Sequence, residues 1–147
     1  MLRIGFRVKG ERYALLGRHV VEVIPRVVLR RMPLAPPSVA GLFTYRGVVT
    51  PVVDLCQLLA GEPCPDRLSS RVIVVRLAGQ RLIGLLAERV TDVLSDDTPA
   101  QPGLALPDAP FLVGVVRTED GLVPLVEPEK LLPESLFEIL MLEGGPA

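Results

Sequence analysis

Short apolar runs, each interrupted after a few residues by glycine or proline, are the feature of this sequence that most restricts its fold. In LRIGFRVK, residues 2–9, every second residue is apolar, which is typical of a half-buried β-strand. The 147 residues include 13 glycines and 15 prolines, and both residue types favour turns and interrupt helices. The pattern therefore predicts an all-β fold with many turns.

Strand-like runs of this kind number about seven or eight, which indicates a β-barrel or paired barrels. The predicted hairpins cover residues 2–16, 42–55 and 111–128, and residues 71–94 are predicted to form a hairpin followed by a strand or bend. Residues 17–24, GRHVVEVI, fit either a helical turn or a strand. The sequence shows no internal repeat and no linker between domains.

Helix is predicted at two places. CQLLAG, residues 56–61, forms a short helical turn that Gly61 ends, and Asp54 is positioned to cap its first turn. PESLFEILML, residues 133–142, has the spacing of an amphipathic helix, with a proline suited to its first turn.

Residue chemistry argues against an enzyme, because no GxSxG, HExxH, GxxxxGK[ST] or GxGxxG motif is present. His19 is the single histidine, and with Cys56 and Cys64 it cannot supply the four ligands of a structural zinc site. We expect a shielded thiol at Cys56 and a loop thiol at Cys64. Aromatic residues make up 4% and the net charge is −1, which does not fit a nucleic-acid-binding surface. The sequence therefore predicts no catalytic residue, no metal and no cofactor.

Arg46 and Gly47 lie between two apolar runs in FTYRGVVTPVVDL, residues 43–55, and so at the tip of a predicted hairpin. Glycine adopts a positive φ without steric cost, which would leave Arg46 projecting from a rigid turn. Arginine is enriched at binding hot spots because its planar group makes directed hydrogen bonds. An arginine at such a tip can also serve solubility alone, and residue chemistry leaves both roles open.

The longer stretch VAGLFTYRGVVTPVVDL, residues 39–55, resembles the signature G-x-x-N-x-R-G-x-x-x-P-x-x-D-L of CheW-like domains, the coupling proteins of bacterial chemosensory arrays. The residues that match in register are Gly41, Arg46, Gly47, Pro51, Asp54 and Leu55. Thr44 stands where the family often has asparagine. The resemblance extends over about residues 1–142, through the opening FRVKGERYAL, the segment LIGLLAERVTDVL and the closing KLLP.

This resemblance implies two SH3-like five-stranded β-barrels around a shared hydrophobic core, with a short C-terminal helix. Residues 1–142 would form this single domain, and residues 143–147 a flexible tail. The implied function is a non-catalytic adaptor that couples chemoreceptors to a CheA-type histidine kinase. Its partners would be the regulatory domain of the kinase and the cytoplasmic tip of the receptor, with no nucleic acid.

The resemblance also implies which residues bind these partners. The matching arginine lies in a region that the family uses for its partners, and two residues match positions of the kinase-facing surface. The predicted partner-binding residues are Arg46, Gly47, Tyr45, Thr44, Val48, Val20 and Glu22. The implied location is cytoplasmic, at receptor arrays on the inner face of the membrane. Direct insertion is not expected, since the apolar runs are shorter than the roughly 20 residues of a membrane helix.

Three alternatives remain. The adaptor could serve a chemosensory pathway with another output than motility, such as surface sensing or biofilm control. A β-barrel of this size could instead bind a small ligand or an oligonucleotide. An enzyme using His19, Asp54 or Cys56 is the third alternative, although no motif supports it.

Overall fold

The computed structural model describes residues 2–95, 100–102, 106–119 and 121–131. These residues contain ten strands and one α-helix. The strands are β1 (Leu2–Val8), β2 (Glu11–Leu16), β3 (Val20–Pro25), β4 (Val39–Tyr45), β5 (Val48–Asp54), β6 (Arg71–Arg76), β7 (Leu82–Ala87), β8 (Arg89–Ser95), β9 (Leu112–Thr118) and β10 (Gly121–Val126). The helix is α1 (Leu55–Ala60).

The strands form two sheets of five, in the orders β8-β1-β2-β10-β9 and β3-β6-β7-β5-β4. Neighbouring strands are antiparallel except for one parallel pair in each sheet, β2 with β10 and β5 with β7. We call the first sheet the split barrel, because its strands come from both ends of the chain, and the second the central barrel. The predicted all-β fold with two five-stranded barrels is confirmed.

The two barrels have the same topology. The strands of the split barrel are numbered one to five in the order β8, β9, β10, β1 and β2, and those of the central barrel in the order β3 to β7. With this numbering, both sheets have the spatial order first-fourth-fifth-third-second. The third strands also end in similar sequences, PVVDLCQL at residues 51–58 and PLVEPEKL at residues 124–131. The fold thus repeats one topology, although the sequence shows no evident internal repeat. The repeat is hidden because the split barrel begins in the middle of its own order.

A single hydrophobic core connects the barrels. Phe6 and Leu15 of the split barrel are fully buried in the same cluster as Val52, Ile73 and Leu85 of the central barrel. Side chains on alternate positions of each strand point to the same face, and in both sheets this face is apolar. The predicted shared core is therefore confirmed.

The structure also corrects the count of strands, which is ten within the described residues rather than seven or eight. Residues 17–24 explain part of the difference, since residues 17–19 form a 3₁₀ turn and β3 follows directly. Alternation alone could not separate these two elements. The predicted amphipathic helix at residues 133–142 and the tail at 143–147 lie outside the described residues.

Candidate partner-binding site

The tip of the β4–β5 hairpin holds the predicted arginine in a rigid turn. Tyr45 pairs directly with Val48, which leaves Arg46 and Gly47 as a two-residue loop. Both loop residues have positive φ, 48° at Arg46 and 80° at Gly47, as the favoured two-residue hairpin turn requires. The positive φ at Gly47 was predicted. The one at Arg46 was missed, although the length of the loop carried that information.

Arg46 is held by a carboxylate from another strand. Its Nη2 donates to Glu22 Oε1 on β3 at 2.9 Å, and the hydroxyl of Tyr45 donates to the same oxygen. The Arg46 guanidinium carbon lies 5.1 Å from the centroid of the Tyr45 ring, within range of a cation–π interaction. We call Glu22, Tyr45 and Arg46 the ionic cluster. Because β3 and β4 are the outer strands of the central sheet, this cluster brings its two edges together.

The phenol of Tyr45 must be protonated in order to donate its hydrogen bond to Glu22. Its hydrogen bond to Glu22 is the main cause that raises the pKa of the phenol above its ordinary value. The phenol therefore stays protonated, and a donor, well above neutral pH. Tyr45 is buried at 7% exposure, so it fixes Glu22 from the interior while Arg46 approaches the same oxygen from solvent.

The guanidinium of Arg46 remains accessible in spite of these contacts. Its side chain is 70% exposed and that of Glu22 is 41% exposed. A guanidinium has five N–H donors, and the pair with Glu22 uses one of them. A surface ion pair contributes only about 0–1 kcal/mol to stability. The cluster therefore orients a charged group more than it stabilises the fold.

The other predicted site residues divide into two groups. Thr44 and Val48 are both exposed beside Arg46, with Val48 at 47%, but they lie on opposite faces of the hairpin, since Val48 pairs with Tyr45 and Thr44 pairs with Val49. Val20 is half-buried and packs against the core. A β-bulge between Val20 and Glu22 also separates these two positions of β3. The structure thus brings six of the seven residues together at the hairpin tip, with Tyr45 buried beneath the others, and leaves Val20 mainly in the core.

The residues of the alternative enzyme do not form a catalytic group. Asp54 Oδ1 accepts hydrogen bonds from the backbone N–H groups of Cys56 and Gln57, which confirms the predicted N-cap. His19 lies 3.6 Å from the carboxylate of Glu127, a residue that itself caps a 3₁₀ turn in the split barrel. The His19 ring therefore faces a carboxylate that already accepts a backbone hydrogen bond at the 3₁₀ turn.

Cys56 and Cys64 are both buried, at 3% and 5% exposure. The prediction for Cys56 is confirmed. Cys64 lies in a loop, as predicted, but its backbone N–H donates to Asp54 and the thiol is buried. The thiols and the Asp54 carboxylate lie within 4.8 Å of one another. Both carboxylate oxygens already accept backbone N–H groups, at Cys56 and Gln57 and at Cys64, so the carboxylate is a poor free ligand.

We accordingly expect folding to be independent of metal. Incubation with excess EDTA should leave the melting temperature unchanged, since two thiols and one engaged carboxylate fall short of four tetrahedral ligands. Thermal unfolding with and without EDTA, together with elemental analysis of the purified protein, measures this. A fall in melting temperature that added zinc reverses would contradict the expectation.

The fold and the ionic cluster define a class of protein: a double β-barrel that presents a fixed arginine at a hairpin tip. The sequence model of the CheW-like domain matches residues 3–136, so this chain belongs to the CheW-like domain family. Members of this family are non-catalytic adaptors, and the prediction that the chain is not an enzyme is confirmed.

Individual relatives agree with this membership. The chain is 32% identical to the chemotaxis protein CheW of Rhizobium meliloti over 134 residues, which cover 88% of this chain and 86% of that protein. It is 30% identical to protein PilI of Pseudomonas aeruginosa over 123 residues, 79% of this chain and 67% of that protein. The crystal structure of the scaffolding protein TtCheW from Thermoanaerobacter tengcongensis superposes with a TM-score of 0.77 at 25% identity, over 86% of this chain and 84% of that one.

Within the part of the chain that the structure describes, no helix is both long enough and apolar enough to cross a membrane.

Proposed function

We propose that this protein is an adaptor that couples chemoreceptors to a CheA-type histidine kinase, and that the surface around Arg46 is one of its docking sites. The residues of this surface are Arg46, Gly47, Tyr45, Thr44, Val48 and Glu22. Family membership supports the adaptor role, and two relatives are named as chemotaxis and scaffolding proteins. Such an adaptor works in the cytoplasm, at receptor arrays on the inner face of the membrane.

The observation that carries the proposal is the orientation of Arg46. Its side chain is 70% exposed, yet its position is fixed by Glu22 and by the ring of Tyr45. Fixing a long side chain before binding removes part of the conformational entropy that the complex would otherwise lose. Thr44 and Val48 are exposed on either side of the loop, and arginine is one of the residue types that are enriched in interfaces.

The mechanism is geometric. A rigid double barrel with two docking surfaces holds a receptor tip and a kinase domain at a fixed distance. A change in the receptor then changes the position or the mobility of the kinase domain. Val20 supports the proposed surface from the core, since it packs there two residues before Glu22.

Arg46→Glu should weaken binding to at least one partner by about thirtyfold or more. A hot-spot arginine is worth about 2 kcal/mol of binding free energy, and the substitution also places two carboxylates side by side at residues 22 and 46. Titration of the variant against the regulatory domain of the kinase and against a receptor-tip fragment measures the loss. Thermal unfolding should stay close to that of the parent, because the ion pair with Glu22 is exposed.

Arg117→Glu is the matched control. Arg117 is an exposed arginine on β9, in the split barrel, so the variant carries the same change of charge at another surface. Its affinity for both partners should equal that of the parent. Equal affinities for Arg46→Glu and Arg117→Glu would overturn the role of this surface. Loss of stability in step with loss of binding would make Arg46 structural.

One relative supports an alternative pathway for the adaptor, with an output other than motility. Protein PilI is 30% identical to this chain and carries a name other than chemotaxis protein. The same adaptor could therefore serve a chemosensory pathway with a non-motility output. Affinity purification from the native cell distinguishes the two, since a receptor and kinase of the motility system would exclude the second output.

A further inference from the structure

Two cysteines eight positions apart are held together by one carboxylate. Asp54 Oδ1 accepts the backbone N–H of Cys56 at 2.9 Å, and Asp54 Oδ2 accepts the backbone N–H of Cys64 at 2.9 Å. The two sulfurs and this carboxylate lie within 4.8 Å of one another. The backbone contacts of Asp54 therefore fix the separation of the sulfurs.

The two thiols have different environments. The two sulfurs lie within 4.8 Å of each other, and this close approach lowers the pKa of Cys64 and, together with burial, raises the pKa of Cys56. The guanidinium of Arg26 donates to the backbone carbonyl of Cys64 at 3.2 Å, so a positive charge lies near this thiol and favours its thiolate. Cys64 is therefore the more nucleophilic sulfur, since the thiolate is the reactive form.

Access to the pair is narrow but present. Cys56 and Cys64 are 3% and 5% exposed, which excludes bulky reagents from the folded protein. An open groove of about 850 Å³ lies alongside, and Gln57, Pro63 and Ser70 are part of its lining. Neither cysteine lines the groove, but Gln57 and Pro63 adjoin them in sequence, so a small uncharged molecule would reach the sulfurs by local movement of this wall.

We propose that Cys56 and Cys64 are a redox modification site, at which a peroxide converts the two thiols into a reversible intramolecular disulfide. Cys64 attacks one oxygen of the peroxide as the thiolate, and the O–O bond breaks. Cys64 becomes a sulfenic acid, and the leaving hydroxide takes up the proton that the Cys64 thiol released and departs as water. The sulfur of Cys56 then attacks Cys64 Sγ, loses its proton, and displaces the hydroxyl group as a second water. Two thiols are oxidised to one disulfide and one hydrogen peroxide is reduced to two waters.

This site lies away from the ionic cluster in sequence and chemistry, so it is independent of the proposed adaptor function. Disulfides in intracellular proteins are usually transient, and the proposed disulfide, which forms on oxidation and breaks on reduction, is of this kind. The bond would tie the loop at residues 61–70 to the first turn of α1. That loop forms one wall of the groove, so oxidation would fix the shape of this wall.

The test uses the full chain in its reduced form. Folded protein is treated with hydrogen peroxide, and the remaining thiols are alkylated under denaturing conditions and counted by mass spectrometry. We expect both thiols to be lost together, with a peptide crosslink between residues 56 and 64 and recovery of both thiols on reduction. A bulky aromatic disulfide reagent should modify the folded protein at least about tenfold more slowly than the unfolded chain, because both sulfurs are buried.

Two matched variants distinguish the role of Cys64, which attacks the peroxide, from that of Cys56, which closes the disulfide. Cys56→Ser should accumulate a sulfenic acid at Cys64 that dimedone traps, whereas Cys64→Ser should react with peroxide at least about tenfold more slowly. Thermal unfolding of both variants shows that each is folded. Loss of a single thiol in the parent, disulfides between two chains, or a bound zinc ion that blocks oxidation would each overturn the proposal.

Discussion

Replacing Asp54 by alanine should lower the free energy of unfolding by about 3 kcal/mol. The loss of an N-cap costs about 1–2 kcal/mol, and Asp54 caps α1 through two N–H groups. The substitution also leaves the buried N–H of Cys64 without its acceptor, which costs about 1–3 kcal/mol more. For a domain of this size, such a change moves the melting temperature by roughly 10 °C.

Asp66→Ala is the control for this prediction. Asp66 lies in the loop after α1, and its side chain is 90% exposed beside Arg26, at 3.8 Å. Its removal should change stability by less than about 1 kcal/mol, as expected for a surface ion pair. Urea unfolding followed by circular dichroism gives the free energy of unfolding of both variants. The two can be compared when the free energy depends equally steeply on urea concentration in both. Equal midpoints for Asp54→Ala and Asp66→Ala would show that the carboxylate of Asp54 does not hold α1 and the loop of Cys64 together.

Gly41→Ala should lower the free energy of unfolding by a similar amount, about 3 kcal/mol. Gly41 has φ of 149°, a conformation that costs other residues about 1–3 kcal/mol. A methyl group at this position would lie 2.5 Å from the backbone oxygen of Arg30. That oxygen accepts the N–H of Leu42 at 2.8 Å, so the close approach cannot relax without breaking a bridge between β4 and the preceding segment. Overpacking of this kind adds about 1–3 kcal/mol.

Gly10→Ala gives the matched comparison. Gly10 also has a positive φ, 80°, but a methyl group there would meet nothing within 4 Å. Its cost should be limited to the backbone conformation, about 1 kcal/mol. Thermal or urea unfolding of both variants separates two contributions to the loss of stability in Gly41→Ala, the steric clash with Arg30 and the strain of the backbone conformation. If the two variants are equally stable, the contact with Arg30 is not responsible for the glycine in the family signature.

Much of the local structure could be predicted from the sequence because its causes are local. The period-two pattern gave the hairpin of β1 and β2, and the turn preference of glycine placed Gly47 at positive φ. The Asp54 cap and the end of α1 at Gly61 also depend on neighbours within a few residues. The resemblance to CheW-like domains, rather than the pattern itself, supplied the two barrels.

The candidate site was predicted only in part. Arg46 was expected as a free side chain on a rigid turn, and its exposure is confirmed. Its contact with Glu22 joins residues 24 positions apart, on strands that are at opposite edges of one sheet. Periodicity assigns each residue to a face of a strand, but it does not say which strand lies beside which. The same limit explains why the burial of Cys64 within its loop was not predicted.

The sequence by itself determined most of the strands, the turns, the helix cap and the identity of the exposed arginine. Each of these follows from backbone preferences and from apolar spacing within about ten residues. Tertiary structure alone decided that residues 2–16 complete a barrel with residues 89–126, that the two barrels repeat one topology, and that one carboxylate holds Cys56 and Cys64 together. These features depend on contacts between distant segments, which form because burying both apolar faces in one core is favourable for the whole chain.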